Sequence, residues 1–144
     1  MKSVVELDVH LQQARLAELF TDPRNNPKWM DDVERIEPIS GELGEPGSVY
    51  RLVPKSGKLV FVATVLTRKL PTEATLSLDA PSVSVSVAAK FLKLSEQSTK
   101  LISEETFRFK GAFNRIFGFF ARGSIQSAHR RHMESFKRFA ESQG

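Results

Sequence analysis

The sequence contains no cysteine, and this absence limits its chemistry. Disulfide bonds, thiolate catalysis and cysteine-bound metal sites are excluded. No apolar run approaches the ~20 residues that a membrane helix needs, and the N-terminus has no apolar signal region. We therefore predict no stable membrane insertion. A chain without cysteine also fits the reducing cytoplasm, which is the location we predict.

Motifs typical of several enzyme classes are missing as well. The chain has no glycine-rich phosphate loop, no nucleophile elbow, no HExxH pattern and no recognisable Ser-His-Asp order. His129 and His132 stand three residues apart, a spacing that a metal pair can use, but His10 is the only other histidine. We predict no metal site and no cofactor.

Positive charge is concentrated near the C-terminus. The net charge is +4, yet residues 107–140 hold a single acid, Glu134, against eight basic side chains: Arg108, Lys110, Arg115, Arg122, Arg130, Arg131, Lys137 and Arg138. Such a surface could bind nucleic acid, anionic lipid or an acidic partner, or it could be a solvated helix face. No nucleic-acid motif accompanies the charge, so we favour the solvated face and predict no nucleic-acid partner.

The periodicity of apolar residues predicts one domain over residues 1–144. Alternation predicts a strand over 3–9, and a helical stripe predicts a helix over 11–22, followed by a short helical turn at Pro27. From residue 48 to 110, short polar turns separate successive strands. Connections this short cannot join parallel strands, so we predict an antiparallel meander of six or seven strands, the first included.

The residues after Gly111 follow a helical period. Gly118 and Gly123 each cost about 1 kcal/mol relative to alanine inside a helix, so we predict a bend or break near Gly123. The apolar face of the sheet needs a cover, and this helix is the only predicted element of adequate length. A twisted sheet cannot press every residue against one helix. We therefore expect a cavity between the two, unless large side chains fill it.

Three stretches resemble one known group of proteins: "NPKWMDDV" (26–33), "GELGEPGSVYRL" (41–52) and "HRRHMESFKRFAE" (129–141). In order and spacing they are similar to the START-related (SRPBCC) superfamily, which includes polyketide cyclase/dehydrase-like and lipid-transfer proteins. The resemblance implies an α+β helix-grip fold, in which a curved antiparallel sheet wraps around a long C-terminal helix and two short helices follow the first strand. It also implies an internal cavity for lipids, polyketides or other hydrophobic small molecules.

Trp29 is the only tryptophan of the chain, and it lies in a polar segment. In the helix-grip arrangement it sits on the short second helix that closes one end of the cavity. Its ring would shield the apolar interior while its indole N–H reaches a backbone or solvent partner. The alternative is that Trp29 only seals the bottom of the core.

Phenylalanine is abundant, with eleven residues against one tyrosine and one tryptophan. Aromatic walls suit flat or long apolar ligands, although aromatic stripes also build ordinary cores. We expect core and pocket wall together. The predicted ligand-binding residues are Trp29, Tyr50, Phe61, Phe91, Phe107, Phe109, Phe117, Phe120 and His132.

Glu105 is the strongest candidate for chemistry. Alternation on the last strand puts it on the same face as Leu101, Ser103, Phe107 and Phe109, toward the helix. Desolvation there would raise its pKa and suit it to general acid–base catalysis. A slip of one residue would instead turn Glu104 inward. Glu105 and His132 are thus the weak catalytic candidates, and a structural ion pair is the alternative.

The pattern leaves other points open. Tyr50 and Arg51 are adjacent on a strand, so only one of them can face inward.

Our main prediction is binding, for transport or sequestration, of a hydrophobic small molecule. The alternatives are a cyclase/dehydratase-type enzyme that uses an inward Glu105, and a protein-interaction module that binds through its basic helix or its "FNRIFGFF" segment. A homodimer stays open.

Overall fold

The computed structural model describes the backbone of residues 1–111 and 114–144, and the side chains of residues 1–111 and 122–144. It confirms the α+β helix-grip fold. The elements are, in chain order, β1 (Lys2–Val9), α1 (Gln13–Thr21), a 3₁₀ turn (Pro23–Asn25), α2 (Asn26–Trp29), β2 (Val33–Ser40), β3 (Val49–Pro54), β4 (Phe61–Lys69), β5 (Glu73–Asp79), β6 (Val83–Ser95), β7 (Ser98–Phe109) and α3 (Asn114–Ser142).

The seven strands form one antiparallel sheet in the order β1-β7-β6-β5-β4-β3-β2. Strands β2 to β7 form a meander, as predicted. Strand β1 pairs with β7, with Leu7 opposite Leu101. The alternation in sequence sets the two faces. Along β6 the side chains of Val83, Val85, Val87, Ala89 and Phe91 are buried.

The loop between β2 and β3 depends on glycine at two points. Gly41 has a φ of +77°, and a Cβ atom there would lie 2.9 Å from the Cα atom of Ser48. Gly47 has a φ of +88° and donates its backbone N–H to the carbonyl of Val65 at 2.8 Å. Glycine adopts this left-handed conformation without the steric cost that a side chain adds. The hydrogen bond from Gly47 holds the loop against β4.

The core beneath the short helices is aromatic. The ring of Phe20 on α1 stacks on Trp29 at 5.9 Å and meets Phe136 of α3 edge-on at 5.0 Å between centroids. Phe91 of β6 closes the cluster at 5.6 Å from Phe20. Aromatic pairs of this geometry add to the free energy gained by burial. The cluster fixes both short helices between the sheet and α3.

Helix α3 is continuous from Asn114 to Ser142, so the chain does not break near Gly123. Its best-packed part holds the buried residues His129, Met133, Phe136 and Ala140. Among the residues that the structure describes, no helix combines the length and hydropathy needed to cross a membrane. The described part of α3 packs mainly on β1 and β7. The inner faces of β3, β4 and β5 are therefore left to line a hollow.

Candidate functional site

The interior contains two adjoining chambers. Chamber 1, of about 80 Å³, lies between the short helices and strands β3, β4 and β5. Chamber 2, of about 520 Å³, lies between α3 and the inner faces of β3, β4, β6 and β7. Both are lined by Met30, Leu52, Leu78 and Glu105, so they meet at these four residues. The expected cavity between sheet and helix is present.

Most of the predicted ligand-binding residues line these chambers. Trp29 and Tyr50 line chamber 1, while Phe61, Phe107 and His132 line chamber 2.

Two of the predicted residues lie elsewhere. Phe91 is fully buried in the aromatic core, because α1 and α2 cover that end of β6. Phe109 lies at the end of β7 and stacks on Phe107 at 6.3 Å, against the cluster of Ala80, Val83, Val85 and Val87. Neither borders a chamber. The side chains of Phe117 and Phe120 lie outside the described residues.

Trp29 sits on α2, where it covers apolar space at chamber 1 as expected. Its side chain is 6% exposed, and Ser135 of α3 donates a hydrogen bond to its backbone carbonyl at 2.6 Å. The expectation for its indole N–H is wrong, however. Nε1 is buried and has no hydrogen-bond partner among the described residues. The ring lies in the aromatic cluster, which offers no oxygen acceptor.

Glu105 faces inward, as the alternation of β7 predicts. It stands opposite Val87 of β6 and lines both chambers. Its side chain is 17% exposed, and its nearest polar contact is the Nε2 atom of His129, 3.8 Å from Oε2. Burial raises the pKa of the Glu105 carboxyl to about 7. The carboxyl is thus a proton donor and acceptor near neutral pH, at the junction of the chambers.

His129, rather than His132, is the buried histidine of α3. The Ser3 hydroxyl of β1 lies 2.8 Å from Nδ1, and the Ser103 hydroxyl of β7 lies 2.9 Å from Nε2. Burial lowers the pKa of His129 to about 4, and the positive charges of His132 and Arg130 add to this effect. The neutral imidazole therefore ties α3 to two neighbouring strands.

The hydrogen-bond network assigns the tautomer of this imidazole. Gln126 donates from Nε2 to the carbonyl of Val4 at 3.1 Å, so its Oε1 accepts from the Ser3 hydroxyl at 2.7 Å. Because Ser3 has one proton to give, Nδ1 of His129 must donate to it. Nε2 then accepts from Ser103. The Nε2 lone pair is occupied, and Glu105 is the carboxyl that lines both chambers.

Tyr50 resolves the open choice on β3. The residue is 2% exposed, burial raises the pKa of its hydroxyl, and the Asn26 side chain of α2 acts on that pKa in the opposite direction. Arg51 points outward toward Glu37 at 3.9 Å. The hydroxyl of Tyr50 thus reaches chamber 1 with one partner already in place.

Arg68 was not singled out by the sequence pattern. The register of β4 shifts between Val65 and Thr67, so that Arg68 stands opposite Ala74, and both line chamber 1. Its guanidinium contacts Glu18 at 2.9 Å, Glu45 at 3.3 Å and the Thr21 hydroxyl at 3.2 Å. A β-bulge moves the side chains that follow it to the opposite face, and simple alternation does not reveal it.

Among the side chains that the structure describes, no three His, Asp or Glu groups come together in a way that would hold a metal ion. Both ring nitrogens of His129 are hydrogen-bonded to serines. What the described site offers is apolar volume with a single carboxyl at its centre.

Several solved structures superpose on this chain over nearly its full length. A START superfamily protein from Mycobacterium smegmatis superposes with a TM-score of 0.73 at 13% identity, over 99% of this chain and 95% of that one. The chain therefore has the same fold as that START superfamily protein. No protein-family model matches the sequence, and no curated protein matches it significantly.

Two enzymes have the same START architecture. The Zhui aromatase/cyclase from Streptomyces sp. R1128 matches with a TM-score of 0.69 at 14% identity, over 96% of this chain and 95% of that one. Norcoclaurine synthase from Thalictrum flavum, in complex with dopamine and hydroxybenzaldehyde, matches with a TM-score of 0.70 at 12% identity, over 100% of this chain and 89% of that one. At these identities the likeness establishes the fold alone.

Proposed function

We propose that this protein binds a hydrophobic small molecule in the two adjoining chambers, for transport or sequestration. The observation that carries the proposal is the cavity of about 520 Å³ that α3 and the sheet leave between them. Its walls include Phe61, Phe107 and Val85. Each CH₂ group moved from water into such a cavity contributes about 0.8 kcal/mol to binding.

An uncharged apolar fluorophore tests the proposal directly. N-phenyl-1-naphthylamine should bind the purified protein with a saturable rise in fluorescence. Val85→Trp should weaken this binding at least tenfold, because the new ring occupies chamber 2. Ser86→Trp is the matched control, since Ser86 is the next residue of β6 and is exposed.

A second variant guards against misfolding. Ala128→Phe fills chamber 2 from the α3 side and should have the same effect as Val85→Trp. Organic extraction of gently purified protein, followed by mass spectrometry, should identify a co-purified lipid or polyketide. No saturable fluorophore binding and no extracted ligand would together overturn the proposal.

Glu105 supports a second candidate, an enzyme of the cyclase or dehydratase kind. The carboxyl lines both chambers and is positioned to exchange a proton with a bound molecule. Glu105→Gln should then abolish turnover of the extracted ligand while the folded protein stays as stable or becomes more stable. Unchanged turnover in this variant would overturn the enzyme candidate.

The protein-interaction alternative receives less support. It predicts an interior filled by side chains, whereas chamber 2 has a volume of about 520 Å³. It also predicts an exposed apolar patch larger than a monomeric protein usually shows. A cytoplasmic location stays a prediction, and a homodimer stays open.

A further inference from the structure

The polar group of the ligand can be inferred from the charges around the cavity. Glu105 lines both chambers and makes no hydrogen bond to any of the described residues; its nearest polar contact is the 3.8 Å approach to His129. The carboxyl is 17% exposed and has no hydrogen bond from the described residues, so a ligand can supply the partner that the protein does not. Glu105 is therefore the group that a bound molecule meets.

The other polar side chains of chamber 1 are already paired with each other. The Asn26 side chain interacts with the Tyr50 hydroxyl, and the hydroxyls of Thr67 and Thr75 lie 2.7 Å apart. Ser103 donates to His129 at 2.9 Å. Each of these groups already has a partner within the protein, whereas Glu105 has none within hydrogen-bond distance among the described residues, so Glu105 gains most from a polar group on the ligand.

Cations that could receive an anionic ligand are scarce among the described cavity residues. Arg68 lines chamber 1, but Glu18 and Glu45 both contact its guanidinium. His129 is held neutral by burial and by its two serine partners. His132 is half-buried at chamber 2, and Lys55 is exposed at its rim beside Asp32.

We infer that the cavity binds apolar molecules whose polar group is uncharged or a protonated amine, and that it discriminates against anionic amphiphiles such as fatty acids. The inference rests on the proposed function. A carboxylate at the junction would lie beside Glu105, and two like charges at one site disfavour each other. An amine would form an ion pair with Glu105, and an alcohol would share a hydrogen bond with it.

Three probes of equal chain length test this inference. Decylamine, decan-1-ol and decanoate, each below its micelle concentration at pH 7, are titrated against the bound N-phenyl-1-naphthylamine. The amine and the alcohol should displace the fluorophore at concentrations at least tenfold lower than decanoate. In Glu105→Gln, the preference for the amine over decanoate should fall by at least tenfold. Glu104→Gln, the exposed neighbour, should keep the wild-type order.

The outcomes separate the inference from the function on which it rests. If the fluorophore does not bind and organic extraction yields no ligand, the proposed function fails. If the fluorophore binds but decanoate displaces it as well as decylamine does, the function stands and the inference is overturned. Tight decanoate binding that Lys55→Gln removes would place an anionic head at the rim, and it would also overturn the inference.

Discussion

The Nε2 atom of His129 on α3 lies 3.8 Å from the Oε2 atom of Glu105 on β7. Opposite shifts in pKa make this a neutral pair rather than an ion pair. Burial raises the pKa of Glu105 to about 7 and lowers that of His129 to about 4, so between these values the carboxyl is protonated and the imidazole is uncharged. A neutral pair avoids the cost of burying two charges beside an apolar cavity.

Replacing Glu105 by glutamine should stabilise the protein increasingly as the pH rises. The pKa of Glu105 is raised from 4.5 to about 7 on folding, so the folded state binds its proton more tightly. Wild type therefore loses stability as the pH rises through this range, by about 3 kcal/mol. Urea unfolding of both proteins at pH 5 and pH 8 measures this effect. The free energy of unfolding of Glu105→Gln minus that of wild type should be larger at pH 8 than at pH 5 by about this amount.

The comparison with wild type at each pH is essential, because His129 acts in the opposite direction. Its pKa falls from 6.5 to about 4 on folding, so its contribution to stability is lost as the pH falls through that range. The two profiles largely cancel in wild type, but His129 is present in both proteins, so their difference at each pH reports mainly the loss of the Glu105 carboxyl. Glu104→Gln serves as the control, since Glu104 is exposed beside Lys2. A difference that does not change with pH would show that Glu105 titrates normally.

The imidazole of His129 should be the Nδ1–H tautomer and should remain neutral at pH 5.5. Its Nδ1 donates to Ser3 and its Nε2 accepts from Ser103, at 2.8 and 2.9 Å. Long-range ¹H–¹⁵N correlation spectra of histidine-labelled protein distinguish the tautomers, and His129→Gln assigns the signal. An Nε2–H tautomer, or a charged ring at pH 5.5, would contradict the network.

The sequence pattern predicted the fold because alternation and helical period are local signals. The burial along β6 and β7 follows the alternation, which correctly turned Glu105 inward and Glu104 outward. The pairing of β1 with β7 joins residues about a hundred positions apart, such as Ser3 and Glu105. Periodicity within a strand carries no information on such a partner.

The site was predicted less completely, for three physical reasons. His129 and His132 differ by less than one helical turn, so the period alone could not tell which would meet the serines of β1 and β7. The shift in register on β4 brought Arg68 to chamber 1. The indole of Trp29 was expected to find a hydrogen-bond partner, but the aromatic rings of Phe20 and Phe136 surround it. Each outcome depends on packing between distant elements.

Removing the Ser103 hydroxyl should destabilise the protein by about 1–3 kcal/mol, because Nε2 of His129 is then buried without a partner. Urea unfolding of Ser103→Ala at pH 7 measures this loss. Ser86→Ala, at an exposed position of β6, should change stability by less than about 0.5 kcal/mol. In the His129→Gln background the cost of Ser103→Ala should shrink, since the two residues are directly bonded. Additive effects would mean that Ser103 stabilises the protein through other contacts.

Arg68 should contribute more to stability than an ordinary surface arginine. Its side chain is 21% exposed and joins α1, the β2–β3 loop and β4 through Glu18, Glu45 and Thr21. Arg68→Met keeps most of the aliphatic stem but leaves these three partners unpaired, and should cost about 1–2 kcal/mol. Arg35→Met is the control, because Arg35 is 53% exposed and its partners Glu34 and Glu37 belong to its own strand. Exposed pairs of that kind contribute at most about 1 kcal/mol. Equal losses in the two variants, measured by urea unfolding at 0.15 M salt, would show that Arg68 does not tie the three elements together.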